Sequence, residues 1–236
     1  MRNNEGIYTT VNAVVYYSNT GQSKRIAEYI AQKSSIPLFD IFDLTEYEFN
    51  TAVLVFPVHC QNIPKPVKTF LDRLRVKALI PIATYGKMCY GNVLYEIQKR
   101  YNHNITAAAY VPTKHSYIEE NGFSDFESLN PIIVKINSPD RIAIPKAYKN
   151  PLSNICKGLR SRMGVKIYKD KTCDNCGKCN AVCNNNAIAY GKTNRKCIRC
   201  LKCVEQCPKN ALHFYNRLPM RTYLRKSKCD KLIIYD

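Results

Sequence analysis

The 236-residue sequence lacks the features of a membrane protein and of a secreted protein. No apolar run approaches the roughly 20 residues that a membrane-spanning helix needs. The first ten residues, MRNNEGIYTT, contain no apolar core of the kind found in secretory signal peptides. Only Cys60 and Cys89 lie in the first 150 residues, which argues against a scaffold held together by disulfides. We therefore expect a cytoplasmic protein with reduced cysteines and no membrane insertion.

Several nucleotide-binding signatures are also missing. No Gly-Lys-Ser/Thr sequence stands at the spacing of a Walker loop. No nicotinamide-binding fingerprint is present, so direct oxidation of NAD(P)H is not predicted. The sequence contains neither a helix-turn-helix nor an RNA-binding signature, and nucleic acid is not the expected partner.

Acidic residues are scarce, and the shortage lies mainly in the C-terminal part. The chain has 18 Asp and Glu against 36 Lys and Arg. Residues 151–236 hold 19 basic and 5 acidic residues, a net charge of +14, whereas residues 1–150 carry a net charge of +4. A basic field of this kind attracts and steers acidic partners. The alternative is a solvated surface that offsets buried anionic groups.

Short apolar runs alternate with helix-like segments in the first half of the chain. The runs that read as strands are residues 11–17, 38–42, 51–56, 78–84 and 105–111. Strands that alternate with amphipathic helices indicate a parallel sheet covered by helices on both faces. We therefore predict a doubly wound α/β domain with a five-stranded parallel sheet over residues 1–150, although residues 118–163 give no clear pattern.

The most specific signal is a pair of cysteine-rich runs. CDNCGKCNAVC begins at residue 173 and CIRCLKCVEQCP begins at residue 197, so the two runs align at an offset of 24 residues. Both have the spacing C-x2-C-x2-C-x3-C, and this pattern resembles that of bacterial ferredoxins with two [4Fe–4S] clusters. The repeat predicts a small α+β domain with pseudo-two-fold symmetry over residues 164–216, followed by a basic tail over residues 217–236. Zinc and disulfides are the alternatives, but zinc favours pairs of ligands, often with histidine.

The resemblance to ferredoxins implies a ligand set in which each run lends its last cysteine to the other cluster. One cluster would then be held by Cys173, Cys176, Cys179 and Cys207. The other would be held by Cys197, Cys200, Cys203 and Cys183. Asn184 stands where ferredoxins usually have proline after the last cysteine, but that residue is not a ligand.

A hydroxyl-rich turn follows the first predicted strand. It consists of Ser18, Asn19, Thr20, Gly21, Gln22 and Ser23. Backbone N–H groups at a helix start, with small hydroxyl side chains around them, form a phosphate cradle. The turn resembles the FMN-phosphate loop of flavodoxins, although ordinary helix capping is the alternative.

Two later loops resemble those that flank the flavin ring in flavodoxins, where ligands lie at the carboxyl ends of the strands. Their candidate flavin contacts are Pro57, Val58, His59, Cys60, Asn62, Thr84, Tyr85, Gly86, Tyr90 and Gly91. Because the chain has no tryptophan, stacking on the flavin would come from Tyr85, Tyr90 or His59. His59 and Cys60 either form a reactive pair or line the pocket, and His115 lies either near the flavin or in a solvated loop.

Taken together, the chain resembles flavodoxin–ferredoxin fusion proteins, and the resemblance implies an electron-transfer flavoprotein with two [4Fe–4S] clusters, FMN and a redox partner protein. Two other functions stay open: a flavin-dependent reductase of a small organic substrate, and an iron–sulfur protein that binds nucleic acid.

His103 and His213 are interpreted as structural, and no role is assigned to Cys89, Cys156 or Cys229. Three alternatives stay open for the basic residues around the second run: they raise the cluster potential, dock an acidic partner, or have no specific role. They are Lys192, Arg195, Lys196, Arg199 and Lys202.

Overall fold

The computed structural model describes residues 11–138, 140–154, 157–226 and 228–236. The first ten residues and Cys156, which the sequence analysis discussed, lie outside these ranges. In the described ranges, no helix combines the length and the apolar character that crossing a membrane requires.

The described residues form ten strands and eight α-helices. The strands are β1 (Ala13–Tyr16), β2 (Leu38–Asp40), β3 (Glu48–Pro57), β4 (Arg75–Tyr85), β5 (Ala108–Pro112), β6 (Val165–Lys169), β7 (Ile188–Ala189), β8 (Lys192–Thr193), β9 (Leu212–Asn216) and β10 (Ile233–Tyr235). The helices are α1 (Gln22–Ser34), α2 (Lys65–Arg73), α3 (Val93–Tyr101), α4 (Asn130–Val134), α5 (Lys157–Gly164), α6 (Lys178–Ala181), α7 (Lys202–Glu205) and α8 (Leu218–Leu224).

The main sheet has the strand order β10-β5-β4-β3-β1-β2. Strands β1 to β5 are parallel, and β10 pairs antiparallel with β5. The order 2-1-3-4-5 of the parallel strands is that of flavodoxins. The predicted α/β class and its five parallel strands are confirmed, and β10 is an additional edge strand that the sequence did not predict.

Each face of the sheet is apolar because neighbouring residues of a strand point to opposite sides. Val15 and Leu54 face a core that includes Phe70 of α2 and Leu94 of α3. The residues next to them in sequence face a second core, which contains the apolar residues of α1 and α4. Both faces are therefore buried, as a parallel sheet requires.

The cysteine-rich segment has a separate small core and visible internal symmetry. Strand β6 pairs with β9, β7 pairs with β8, and Ile167, Leu201 and Leu212 lie in the shared core. Left-handed backbone conformations recur at the repeat offset of 24 residues. They occur at Asn175 and Arg199, at Gly177 and Leu201, and at Asn186 and Asn210. The two runs thus have the same backbone course, which agrees with the predicted pseudo-two-fold symmetry.

Residues beyond the cysteine segment return to the main sheet. Strand β10 aligns Ile233 with Tyr110 and Tyr235 with Ala108. The hydroxyl of Tyr85 donates to the carbonyl of Lys231 at 2.6 Å and accepts from the N–H of Lys231 at 3.1 Å. The basic tail proposed from the sequence therefore contains α8 and a strand of the first domain's sheet.

Candidate functional site

One group of four cysteines lies at the outer end of the small domain. Cys173, Cys176, Cys179 and Cys207 line a single cavity, and every other residue that lines it also belongs to the cysteine segment. Cys176 is exposed and the other three are partly buried. The structure thus brings together the four side chains that the resemblance assigned to one cluster, and we call them the outer quartet.

The second group of four, the inner quartet, lines a more deeply placed cavity. It consists of Cys183, Cys197, Cys200 and Cys203. Cys197 and Cys203 are each 8% exposed, so this group has less contact with solvent than the outer quartet. Each run again contributes its last cysteine to the cavity of the other run, as the ferredoxin pattern implies.

The chemistry of both quartets fits an iron–sulfur cluster. Burial raises the pKa of the Cys203 thiol to about 12, and the neighbouring thiols of Cys200, Cys197 and Cys183 add to the shift. Four thiolates at such a site therefore need a positive charge between them, which iron would supply. Backbone N–H groups of Ala187 and Ala211 donate to the sulfurs of Cys183 and Cys207 at 3.3 Å. Hydrogen bonds to sulfur are one of the means by which proteins adjust cluster potentials.

A buried cation beside the inner quartet gives a second test of this fit. Arg199 is 9% exposed, and its Nε donates to the carbonyl of Val165 at 3.1 Å. Its Nη1 is buried and has no hydrogen-bond partner among the described residues. Because a buried charge is costly without an opposite charge nearby, an anionic cluster bound by thiolates suits this position. In the described ranges, no three His, Cys, Asp or Glu side chains are grouped closely enough to hold a single metal ion.

The turn between β1 and α1 has the backbone of an anion site. Gly21 has φ +80°, in the left-handed region, and α1 begins at the next residue. Within the described ranges no side chain caps the start of α1, and the first turn of this helix has no acidic residue. The N–H groups of this turn are therefore available to an anion, which the predicted phosphate cradle requires.

The side chains of this turn differ in their exposure to solvent and in their hydrogen bonding. Ser18, Asn19, Thr20 and Gln22 are partly exposed. Ser23 is buried, and its hydroxyl lies 2.8 Å from the Thr84 hydroxyl, so these two groups bond to each other across the sheet. This bond holds the turn against the end of β4, and a contribution of Ser23 and Thr84 to cofactor binding stays a prediction.

A hydrogen-bond chain joins this turn to the loop after β3. The Tyr17 hydroxyl donates to Asn19 Oδ1 at 3.3 Å, which directs Asn19 Nδ2 towards His59 Nε2 at 3.2 Å. His59 Nε2 must accept this bond, so the ring is neutral with its proton on Nδ1. Burial lowers the pKa of His59 to about 4, in agreement with a neutral ring.

The loop after β3 is a tight turn with left-handed central residues. His59 and Asn62 exchange backbone hydrogen bonds, while Cys60 has φ +49° and Gln61 has φ +63°. Two non-glycine residues in this conformation store strain that other contacts must offset. The Asn62 side chain supplies several, because it donates to the carbonyls of Cys60 and Ser153 and accepts from Lys149 Nζ at 2.9 Å.

Other candidates from the two flavin-flanking loops lie near this turn. Pro57 ends β3, and the N–H of Val58 donates to the carbonyl of Thr84 at 2.7 Å. Gly91 packs directly on the loop, since a Cβ there would lie 2.8 Å from Gln61 Cβ. Gly86 similarly packs against the ring of His115, since a Cβ built on Gly86 would lie 2.8 Å from His115 Cδ2.

Two of the predicted stacking residues have other positions. Tyr85 is 2% exposed, and its hydroxyl is bonded to Lys231. Tyr90 packs edge-on against Tyr85 and lies 4.3 Å from the ring of Tyr110, at the margin of the same core. Tyr85 thus packs inside the core and Tyr90 packs at its margin, while their stacking on flavin stays a prediction. His59 is the remaining candidate beside the turn.

The inner quartet lies directly against the first domain. Asn19, from the predicted phosphate turn, is among the residues that line the inner cavity. The Tyr117 hydroxyl donates to the carbonyl of Arg199 at 2.7 Å, and the Tyr117 carbonyl accepts from Asn216 Nδ2 at 2.8 Å. Sequence reasoning missed Tyr117 because no motif marks it. Its position shortly after β5, where ligands and partners meet the sheet, was the available signal.

His115 lies in the same loop as Tyr117. Its N–H donates to Glu120 Oε1 at 2.7 Å, and its Nδ1 accepts from the N–H of Tyr117 at 3.2 Å. Burial lowers the pKa of His115 to about 4. The ring is thus a fixed, neutral part of the loop and not a solvated histidine.

Comparison with known proteins gives one family match and several similar solved structures. Residues 193–213 match the family model described as a 4Fe-4S binding domain. Similar solved structures include a putative flavoprotein from Bacteroides uniformis, with 19% identity, coverage of 45% of this chain and 92% of that chain, and a TM-score of 0.39. A flavodoxin from the domain Archaea shows 15% identity, coverage of 53% and 94%, and a TM-score of 0.43. No curated protein sequence gives a significant match.

A third similar structure is rubredoxin oxygen:oxidoreductase from Desulfovibrio gigas. It shows 14% identity, a TM-score of 0.42, and coverage of 54% of this chain but only 35% of that chain. The matched 4Fe-4S segment and the strand order of the main sheet fit a flavodoxin–ferredoxin fusion. They support an iron–sulfur redox protein built on a flavodoxin-like domain.

Proposed function

We propose that the chain is a cytoplasmic electron-transfer protein that holds two [4Fe–4S] clusters and one FMN and exchanges electrons with an acidic redox protein. When bound, such clusters exchange single electrons, whereas FMN exchanges one or two. The observation that carries the proposal is the position of Asn19, which belongs to the phosphate turn and also lines the cavity of the inner quartet.

Some residues of the site would bind the cofactors, and others would position the cysteine segment against the first domain. The inner and outer quartets would hold the clusters, and the uncapped start of α1 would hold the FMN phosphate. Asn19 and His59 would line the boundary between flavin and inner quartet. Tyr117 fixes the distance across this boundary, since its hydroxyl and its carbonyl both bond to the cysteine segment.

The difference in exposure between the quartets supports an order of transfer. The outer quartet includes the exposed Cys176, while the inner quartet includes Cys197 and Cys203, which are buried beside the first domain. An external protein therefore reaches the outer quartet first, and the inner quartet stands between it and the predicted flavin turn.

The test is a cofactor analysis of the protein purified without oxygen. We expect about eight irons, about eight sulfides and one FMN per chain. Eight irons without any flavin, even after FMN is added, would show that the first domain is a docking module for the cysteine segment. About four irons would show that one of the quartets holds no cluster.

A further inference from the structure

The cysteine segment has two equivalent surfaces, one around each cavity, and among the described residues only the surface around the inner cavity contacts the first domain. The mouth of the inner cavity is contacted by Asn19 of the first domain. The outer cavity is its counterpart in the repeat, yet all the residues that line it lie between Cys173 and Leu212. The first domain thus occupies one side of the duplicated unit, and nothing else in the described part of the chain lines the other side.

The edge of the outer cavity has the composition of a protein-binding surface. We define the outer rim as Lys178, Tyr190 and Lys209, which line the outer cavity together with Asp174. Both lysines are exposed, and the Tyr190 side chain is 52% exposed. Tyrosine is enriched among the residues that contribute most to interface affinity, whereas rim lysines act mainly by attracting and orienting a partner of opposite charge.

The exposure of Tyr190 is not a consequence of the repeat. Its equivalent in the second half, Phe214, packs against the small core and lies 6.1 Å from the ring of Tyr117. Tyr190 instead has a left-handed backbone with φ +46°, held by a hydrogen bond from its N–H to Asn180 Oδ1 at 2.8 Å. A strained, well-fixed backbone that presents an aromatic ring to solvent points to a binding role.

We infer that the outer rim is the docking surface for an acidic electron-transfer protein, and this inference rests on the proposed function. The net charge of +14 over residues 151–236 would steer such a partner, and Lys178 and Lys209 would pair with its carboxylates at the rim. The outer quartet would hold the cluster that exchanges one electron with the docked protein, so that one of the two is oxidised as the other is reduced.

The test uses two haem proteins of opposite charge as acceptors, because reduced haem has a sharp visible band that can be followed over the broad absorbance of iron–sulfur clusters. The reduced, cluster-loaded full chain is mixed with acidic cytochrome b5 or with basic cytochrome c, and ferric haem gains one electron as the outer cluster loses one. We expect the rate with cytochrome b5 to fall steeply as salt is added, and the rate with cytochrome c to be unchanged or to rise.

The charge-reversal variant Lys178→Glu/Lys209→Glu should reduce the rate with cytochrome b5 at low salt by about tenfold or more. The matched control is Lys166→Glu/Lys226→Glu, which reverses the same number of charges at exposed lysines that line neither cavity. It should change the rate by less than about threefold. Tyr190→Ala should lower the rate without altering its salt dependence, because it removes contact area and no charge.

Equal losses in both double variants would overturn the inference, since the rate would then depend on the overall field and not on the rim. Unchanged rates in both would overturn it as well. Competition by duplex DNA at about 0.15 M salt would show that the rim takes polyanions in general instead of a protein. Iron content and reduction by dithionite are measured in every variant, so that a loss of clusters is not mistaken for a loss of docking. A failure of the proposed function would instead appear as missing iron in the parent chain.

Discussion

Acidification is expected to loosen the turn between β1 and α1, because His59 must remain neutral for the turn to keep its hydrogen bonds. Burial lowers the pKa of His59 from 6.5 to about 4. A base whose pKa is lower in the folded state stabilises that state fully only above the unfolded pKa, and the contribution is lost as the pH falls towards 4. At pH 5 the loss amounts to about 2 kcal/mol relative to pH 7.

The structural reason lies in the donors and acceptors of the chain Tyr17–Asn19–His59. Asn19 Oδ1 accepts from the Tyr17 hydroxyl, so its Nδ2 is directed to His59 Nε2. A proton on Nε2 would place two donors against each other. The turn that carries the predicted phosphate cradle would then lose its link to the loop after β3.

Hydrogen exchange of a peptide that covers residues 17–24 measures this effect directly. The free energy of local opening should be about 2 kcal/mol lower at pH 5 than at pH 7, after correction for intrinsic exchange rates. His59→Gln is the matched control, because its side-chain oxygen can accept from Asn19 but does not titrate. An identical pH response in this variant, or a His59 ring proton that titrates near pH 6.5 by NMR, would refute the reasoning.

Three further predictions concern the packing and the ligands. Tyr85→Phe removes the two hydrogen bonds to Lys231, at 2.6 and 3.1 Å, and should lower the free energy of unfolding by about 2 kcal/mol in urea titrations. Gly91→Ala forces a side chain into a position with φ +67° and a contact of 2.8 Å, so the thermal midpoint should fall by several degrees. Cys173→Ala/Cys207→Ala should retain about four irons, because both residues line the outer cavity. A double variant with no iron would show instead that each run keeps its own fourth cysteine.

The sequence predicts best those elements whose buried residues form an apolar run within a short stretch of the chain. The apolar run 51–56 lies within β3, and the apolar run 78–84 lies within β4. Both depend on contacts with a continuous core, so their periodicity is visible in the residues themselves. The two cysteine quartets are likewise visible, because spacing within a short run decides which thiols can converge.

Features that depend on distant parts of the chain could not be predicted in this way. The three residues of β10 are too few to show a pattern, and their partner strand β5 lies more than a hundred residues earlier. Tyr85 ends β4 at the edge where ligands bind, and its hydroxyl bonds to Lys231, which lies far away in the sequence. The contact between Tyr117 and Arg199 also joins two segments with no common motif.

The return of the chain to the main sheet makes the cysteine segment a topological insertion instead of an appendage. During synthesis, β10 leaves the ribosome only after all eight ligand-type cysteines have been translated, so the sheet reaches six strands last. Until then, β5 has a free edge, and free edges invite association with other chains. The sheet can therefore be completed only in a chain whose cysteine segment has been fully translated. A chain cut short within that segment would carry an unprotected edge and be open to aggregation or degradation.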